Sequence, residues 1–322
     1  MTPTLADLFV SPDHYLHAFA GEEAVFVPMD PASYRASIFL DHRARPAREG
    51  ALRVPIDTLL AQPAAPLAAN WIFHVAHCGS TLLARALESL GGGLVLREPL
   101  ALRQVAVGQA GALLPLALAM AAKRYPGGSA TIVKANVPVN FMLDDIAAVA
   151  APAAVILLYH GWREYLSAVL RSADHRAWLR GVAGELAPSL GDLSGLSDAE
   201  CAAALWAAQV TRFAAAAAMP QARALDADRF FAQPAEMLAA AARLFGIEAE
   251  PSAFAAVVAG PLFATYSKNP DAAFGNADRL ARRARAEADL GAELAAAEDW
   301  LAHHGAAAED AVRQLGMAGL GA

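Results

Sequence analysis

The segment from Trp71 to Leu87 joins an apolar run to a short loop of small and polar residues and then to an apolar-periodic helical pattern. A strand that turns directly into a helix leaves the first backbone amides of that helix without intrahelical partners. These amides lie at the positive end of the helix dipole, where phosphate and sulfate groups bind. The sequence therefore predicts an anion-binding loop at Ala76 to Thr81.

This loop differs from the phosphate loop of ATP- and GTP-binding proteins, which reads GxxxxGK[ST]. The window HVAHCGST, residues 74–81, retains the second glycine as Gly79 and the hydroxyl as Ser80 or Thr81, but it has no lysine. The lysine of that motif contacts the β- and γ-phosphates. The strand predicted at Ala154 to Tyr159 also does not end in a carboxylate that could hold magnesium. These differences argue against an ordinary NTPase or kinase.

Short apolar runs alternate with helical stretches from Trp71 onward, which is the pattern of a parallel α/β sheet flanked by helices, as in P-loop NTPases. The predicted strands are Trp71–Val75, Gly93–Leu96, Ala130–Val133, Ala154–Tyr159 and Ala222–Asp226. The predicted helices are Ser80–Leu90, Leu100–Lys123, Phe141–Val149, Trp162–Ser172, Ala199–Met219 and Pro234–Phe245.

Ligands of such a sheet bind beyond the carboxyl ends of the strands. This rule brings together side chains that are far apart in the sequence. The residues that follow the first four strands are His77 to Thr81, Glu98, Lys134 with Asn136, and His160 to Ser167.

The remaining sequence predicts two appended parts. Residues 1–69 form an N-terminal extension or cap, with short strands expected at Ala24–Val27 and Ser37–Leu40, and residues 70–322 form the α/β domain. The last third is alanine-rich and helical, and Leu280–His304 is predicted to be one long amphipathic helix. Arginines near its start could return to the site; they are Arg279, Arg282, Arg283 and Arg285.

The composition limits the possible partners and the compartment. A chain with 57% hydrophobic and 18% charged residues is not disordered, and a net charge of −7 argues against nucleic acid or an anionic membrane as the main partner. Two cysteines, Cys78 and Cys201, and an N-terminus without signal-peptide features indicate a cytoplasmic protein. The most hydrophobic run, Val105 to Ala122, contains proline and glycine and is predicted to be a buried helical pair rather than a membrane span.

Four segments, in the right order, resemble the P-loop sulfotransferase family. The loop HCGSTLL, residues 77–83, resembles the 5′-phosphosulfate loop, which commonly reads [RK]-[ST]-G-[ST]-[ST]-L. Residues 134–138, KANVP, resemble the K-T-H-x-P segment of the cytosolic branch. Residues 157–170 resemble the strand and helix that contact the 3′-phosphate and carry a serine, here Ser167, and residues 225–247 resemble a later strand and helix.

This resemblance implies a sulfotransferase-like enzyme that uses 3′-phosphoadenosine 5′-phosphosulfate (PAPS) without a metal ion. The enzyme would transfer the sulfuryl group to a hydroxyl or amine of a small-molecule acceptor. Three positions depart from the family pattern: His77 replaces the basic residue of the loop, Tyr159 replaces an arginine, and Asn136 replaces the histidine of K-T-H. The family's RKGxxG stretch is also absent, and Tyr266-Ser267-Lys268 with the later arginines is only a compositional substitute. These departures leave open a divergent P-loop phosphotransferase or a non-catalytic nucleotide- or anion-binding relative.

Sulfuryl transfer builds negative charge on the leaving phosphate oxygen, so it requires fixed amides and cations. The loop residues Gly79, Ser80 and Thr81, together with Lys134, could supply them; a surface role for Lys134 is the alternative. A base must also remove the acceptor's proton. Glu98 is the first candidate; the alternatives are an ion pair with Arg97 or Arg103, or a carboxylate at a helix N-terminus ahead of Pro99.

The other candidates are His77, Cys78, Arg163 and Ser167. His77 could act as a base or stabilise the leaving group, whereas His74 inside the strand is predicted to be a hydrogen-bonded core histidine. Cys78 is a small loop residue in the cofactor site, and a nucleophilic thiolate at the helix N-terminus is the alternative. Arg163 and Ser167 lie four residues apart on one helix and could contact the 3′-phosphate, unless that face is solvated.

Overall fold

The computed structural model describes residues 3–62, 66–266 and 269–321. The N-terminal segment contains a three-stranded antiparallel sheet with strand order β1-β2-β3. Its strands are β1 (His14–Ala20), β2 (Glu23–Pro28) and β3 (Leu52–Pro55), and its short helices are α1 (Leu5–Val10), α2 (Pro31–Ala36) and α3 (Ile56–Leu60).

The strand expected at Ser37–Leu40 is wrong. Ser37 follows α2 directly, and its hydroxyl donates to the carbonyl oxygen of Ser33. Leu40 forms backbone hydrogen bonds with Arg97 and Leu100 of the main domain instead of pairing in the N-terminal sheet. The segment is therefore bent and buried, and it connects the N-terminal part to the main sheet.

The central sheet has five parallel strands in the order β5-β6-β4-β7-β8. They are β4 (Asn70–His74), β5 (Val95–Arg97), β6 (Ile132–Lys134), β7 (Ala154–Tyr159) and β8 (Ala222–Asp226). Every residue of β4 and β7 is buried, because helices cover both faces of the sheet. The predicted α/β fold is confirmed. Two of the five strands, β7 and β8, have the predicted bounds, and the other three are shifted by one or two residues.

Ten helices surround or follow these strands up to residue 244, and the chain also forms 3₁₀-helices at Gly111–Leu113 and Val137–Met142. The α-helices are α4 (Ser80–Ser89), α5 (Leu100–Val107), α6 (Leu114–Ala121), α7 (Leu143–Val149), α8 (Trp162–Val169), α9 (Ala173–Glu185), α10 (Ala187–Leu190), α11 (Asp198–Ala216), α12 (Ala227–Ala232) and α13 (Pro234–Leu244).

The helical stretch predicted at Leu100–Lys123 consists of two helices, α5 and α6, which agrees with the buried helical pair predicted within it. Gly108 ends the first helix and Pro115 lies in the first turn of the second, where a proline needs no hydrogen-bond partner for its nitrogen. Among the helices of the described residues, none has both the length and the hydrophobicity needed to cross a bilayer.

The C-terminal part contains a short hairpin and five helices. These are α14 (Pro251–Ala259), α15 (Pro261–Ala264), β9 (Thr265–Tyr266), β10 (Asn269–Ala273), α16 (Asn276–Asp289), α17 (Gly291–His304) and α18 (Ala306–Met317). The long helix predicted at Leu280–His304 is therefore wrong. The chain breaks at Leu290, which is buried in the core, so that α16 leaves the direction of α17 and packs against α8.

Two buried cations attach the N-terminal segment to the main domain. The Arg97 side chain forms an ion pair with Glu88 and donates to the carbonyl oxygen of Ser37 at 2.6 Å. The Lys123 ammonium donates to the carbonyl oxygens of Leu8, at 2.9 Å, and His14. These contacts hold the N-terminal segment against the main domain. The boundary at residue 69 stays a prediction.

Candidate functional site

The loop between β4 and α4 has the backbone geometry of an anion site. Gly79 precedes α4 with φ of 87°, and no side chain in the described chain caps that helix. A Cβ atom at Gly79 would lie 2.8 Å from Cζ of Phe231, so a larger residue does not fit without movement of the ring. Gly79 is the only glycine of the loop, and it stands where the backbone adopts a positive φ and lies close to the Phe231 ring.

A cavity of about 570 Å³ lies beyond the carboxyl ends of the parallel strands. Its wall contains every predicted site residue except Arg163. The predicted residues that it brings together are His77, Cys78, Gly79, Ser80, Thr81, Glu98, Lys134 and Ser167. The strand-end rule therefore correctly predicted that these residues lie together, whereas their assignment to a functional site and their roles stay predictions.

Glu98 and Lys134 form a direct ion pair at the ends of β5 and β6. Lys134 is 0% exposed and donates to Oε1 of Glu98. Glu98 has a positive φ of 57°, and its backbone amide donates to the Lys134 carbonyl oxygen at 2.8 Å. A buried ammonium without a partner would be strongly destabilising, which explains why the carboxylate lies against it.

The contacts exclude two of the alternatives named above, the ion pair of Glu98 with Arg97 or Arg103 and the surface role of Lys134. Arg97 pairs with Glu88, and Arg103 pairs with Glu185, so neither arginine is the ion-pair partner of Glu98. Lys134 is not a surface lysine, because the covered sheet buries its whole side chain.

Two histidines near the loop are buried against backbone carbonyl oxygens. Both ring nitrogens of His74 face carbonyl oxygens, of Val75 at 2.9 Å and Ala135 at 2.8 Å. Burial, followed by the charge of Lys134, lowers the pKa of His74 to about 3. Burial likewise lowers the pKa of His160 to about 4. The prediction of a hydrogen-bonded core histidine at position 74 agrees with this geometry.

The loop residues His77 and Cys78 have different surroundings. His77 has a positive φ of 63°, and its ring packs edge-on against His175, with centroids 4.8 Å apart, and against Trp178 at 6.0 Å. The Cys78 thiol is buried and donates to the Val75 carbonyl oxygen at 2.8 Å. Burial raises the pKa of Cys78 to about 12, so this thiol is protonated near neutral pH and unsuited to act as a nucleophile.

Three polar side-chain atoms in the cavity wall are buried without a hydrogen-bond partner among the residues that the structure describes. They are Oγ1 of Thr81, Oγ of Ser167 and Oδ1 of Asn136. These residues are 2%, 4% and 6% exposed, respectively. An unpaired buried polar group costs about 1–3 kcal/mol, and a ligand with polar groups would remove that cost.

Arg163 lies outside the cavity wall. Its guanidinium forms an ion pair with Glu298 of α17 at 2.6 Å, and its Cζ lies 4.4 Å from the centroid of the Trp162 ring. The structure therefore does not bring Arg163 together with Ser167 at the site. One turn further along the chain, Arg171 does line the cavity and contacts the ring of His175.

Three arginines of α16 do return to the site, as their position in the sequence suggested. Arg279, Arg282 and Arg283 line the cavity. Arg279 and Arg283 both pair with Asp228, at 2.6 Å and 3.1 Å. Burial alone would raise the pKa of Asp228, but hydrogen bonds and charge from these arginines outweigh it and lower the pKa. Ser267 and Lys268 of the substitute segment lie outside the described residues.

The sequence analysis missed most aromatic residues of the wall and the contribution of the N-terminal segment. The aromatic side chains that it missed in the C-terminal half are Trp178, Phe231, Phe263 and Phe274; Tyr266, named there as part of the substitute segment, also lines the cavity. Phe39 and Arg43 enter from the N-terminal segment, with Phe39 5.7 Å from Nζ of Lys134 and 4.0 Å from Cζ of Arg43. No motif marks these two residues; the adjoining Ser37 and Leu40 are held by hydrogen bonds with Arg97 and Leu100 of the main domain.

The described residues contain no group of three or more His, Cys, Asp or Glu side chains that could hold a metal ion. No family model matches the sequence, and no curated protein matches it. Among solved structures, the chain is similar to a sulfotransferase domain from the curacin biosynthetic pathway. The overlap covers 70% of this chain and 99% of that domain, with 12% sequence identity and a TM-score of 0.42. At this level of similarity, the function has to be argued from the site.

Proposed function

We propose that this protein is a sulfotransferase-like enzyme that transfers a sulfuryl group from PAPS to a hydroxyl or amine of a small molecule. The observation that carries the proposal is the pair of unpartnered, buried hydroxyls of Thr81 and Ser167 in one cavity. Thr81 belongs to the loop helix α4 and Ser167 to α8, which follow neighbouring strands. Two separate hydroxyls without partners suit a ligand with two separate anionic groups, as in a nucleotide phosphorylated at both 3′ and 5′ positions.

The loop would hold the 5′-phosphosulfate of this substrate. The amides of Ser80 and Thr81 at the uncapped start of α4 favour an anion through direct hydrogen bonds and the helix dipole. The loop has no lysine to reach a γ-phosphate. This absence favours a phosphosulfate over a nucleoside triphosphate as the ligand.

The other half of the cavity suits the adenosine 3′-phosphate. Ser167 lies on α8, against which α16 packs, and Arg279, Arg282 and Arg283 of α16 bring positive charge to the cavity. Phe231 supplies an aromatic surface next to the loop, where a base can pack.

The chemistry would take place at Glu98 and Lys134. PAPS supplies the activated sulfuryl group: the bond from sulfur to the bridging phosphate oxygen breaks, and a bond from sulfur to the acceptor oxygen or nitrogen forms. Glu98 accepts the acceptor's proton, so the products are the sulfated acceptor and 3′-phosphoadenosine 5′-phosphate (PAP). Lys134 holds the Glu98 carboxylate in place and adds positive charge at the reacting end of the cavity.

Calorimetry with PAP tests this function directly. We expect PAP to bind in EDTA-containing buffer, and 5′-AMP, which lacks the 3′-phosphate, to bind at least about tenfold more weakly because a hydrogen bond to a charged group contributes about 1.5–3 kcal/mol. If the protein instead binds ATP only in the presence of magnesium and does not bind PAP, the site is that of a divergent phosphotransferase and the proposal is wrong.

A further inference from the structure

Asn136 carries a buried side-chain amide that no structural role explains. It is the residue before the 3₁₀-helix Val137–Met142, with φ of −96° and ψ of 169°. An asparagine at that position ordinarily accepts a hydrogen bond from an amide of the first turn. Here the side chain makes no capping bond, and Pro138 removes one of the amides that it could have capped. Nothing in the local backbone therefore requires an asparagine.

The Asn136 side chain lines the cavity instead. Its Oδ1 atom is buried and accepts no hydrogen bond from any part of the chain that the structure describes. The residue is 94% buried, so bulk water does not compensate for the missing donor. An apolar residue of the same size would be more stable there, which suggests that the amide is present for a ligand.

Asn136 lies on the side of the cavity that holds the proposed base. The preceding residue, Ala135, contacts Nε2 of His74 through its carbonyl oxygen at 2.8 Å. The same nitrogen is 4.0 Å from Oε1 of Glu98. Asn136 and Glu98 follow the neighbouring strands β6 and β5, on one side of β4, whereas Ser167 follows β7 on the other side. The unpaired amide oxygen therefore belongs to the acceptor side and not to the 3′-phosphate side.

We propose that Asn136 selects the acceptor by accepting a hydrogen bond from a second donor group on it. This inference rests on the proposed sulfuryl transfer. The hydrogen of the reacting hydroxyl or amine passes to Glu98 as the new bond to sulfur forms, so it is not available to Asn136. The acceptor therefore carries another O–H or N–H beside the reacting group, as a vicinal diol, a catechol or an amino alcohol does. An ether oxygen or a carboxylate that faces Oδ1 of Asn136 would leave two acceptors against each other without a proton.

Matched acceptor pairs test this inference in the full-length protein. The pairs are catechol with 2-methoxyphenol, and 2-aminoethanol with 2-methoxyethanol; in each pair the second compound lacks the second donor. With PAPS as the sulfuryl donor, release of PAP gives kcat/KM for each compound. We expect the donor-bearing member of each active pair to be preferred by about 10- to 100-fold, because the other member leaves the buried amide oxygen unpaired.

The Asn136→Leu variant separates selection from folding. We expect this variant to lose the preference within each pair, to bind PAP as the wild type does, and to have an equal or higher Tm, because it removes an unpaired buried polar group. A variant with a lower Tm and an unchanged preference would show that Asn136 is structural, and would overturn the inference.

Two further results would also overturn it: equal kcat/KM within the pairs for the wild type, or no turnover of any donor-bearing compound by a protein that binds PAP. Neither result would affect the proposed nucleotide site. Failure to bind PAP, in contrast, would remove the proposed function itself.

Discussion

Replacing Ser167 with alanine should separate ligand binding from folding. The Ser167 hydroxyl is buried on α8 without a hydrogen-bond partner in the described structure, so the folded protein loses no internal bond when the oxygen is removed. An unpaired buried hydroxyl costs about 1–3 kcal/mol, and alanine favours a helix by up to about 0.7 kcal/mol over serine. We therefore expect the free energy of unfolding of the Ser167→Ala variant to be equal to or higher than that of the wild type.

The affinity for PAP should change in the opposite direction. A hydrogen bond to a charged group contributes about 1.5–3 kcal/mol, which corresponds to an increase of about 10- to 150-fold in Kd. The loss should be specific to the 3′-phosphate. Kd for 5′-AMP should therefore be nearly the same in Ser167→Ala and in the wild type, because that ligand has no group to contact the hydroxyl.

Calorimetry with both nucleotides and urea denaturation measure these changes. Ser89→Ala is a matched control, because the Ser89 hydroxyl lies near the other end of α4 and donates to the Ala86 carbonyl oxygen at 2.8 Å. It should leave both affinities unchanged. If Ser167→Ala weakens PAP and 5′-AMP equally, or destabilises the fold by more than about 1 kcal/mol, the assignment of Ser167 to the 3′-phosphate is wrong.

Three other changes have defined outcomes. Glu98→Gln should lower kcat for sulfuryl transfer by about 10²- to 10⁴-fold without changing Kd for PAP, and an unchanged kcat in a PAP-release assay would exclude it as the base. Gly79→Ala should destabilise the protein more than Gly127→Ala, as measured by urea denaturation. Both glycines have a positive φ, but of the two only Gly79 would bring the new Cβ within 4 Å of a described atom, Cζ of Phe231 at 2.8 Å. Burial lowers the pKa of Lys123 to about 7, so between about pH 7 and 10 the unfolded chain binds one proton more than the folded protein at this residue. The free energy of unfolding of the wild type should therefore rise with pH over this range, and Lys123→Met should lack this rise. A variant with the same pH dependence of the free energy of unfolding as the wild type would contradict this prediction.

The sequence was sufficient to predict the parts of the site that one strand and its following helix build. β4 and β7 are continuous buried apolar runs, and the turns after them place Gly79 and Ser167 directly. The rule that ligands bind at the carboxyl edge then brought Glu98 and Lys134 to the same cavity. Local hydrophobic pattern and chain topology contain this information, so no tertiary detail was needed.

The remaining features depend on tertiary contacts that leave no local signal. Arg163 shares a helix with Ser167, yet Glu298 of α17 holds it outside the cavity. The break between α16 and α17 lies at the buried Leu290 and contains no proline; the Gly291 that follows is a weak signal by itself, because a single glycine is tolerated within a helix. Phe39 lines the cavity, and the backbone on either side of it is held by Arg97 and Leu100, which lie far from it in the sequence.

Among the three α16 arginines of the cavity wall, the ion pairs indicate which one can receive a ligand without losing a partner. Arg279 and Arg283 already pair with Asp228, so a phosphate that recruits either one has to compete with a carboxylate at 2.6 Å or 3.1 Å. Arg282 lies with Cζ 4.4 Å from the Phe274 ring and forms no ion pair with any described residue. An ion pair broken at a half-buried site offsets much of the gain from the new one. The 3′-phosphate is therefore expected to be held by Arg282 and the Ser167 hydroxyl, while the two paired arginines keep α16 attached to the helices that follow β7 and β8.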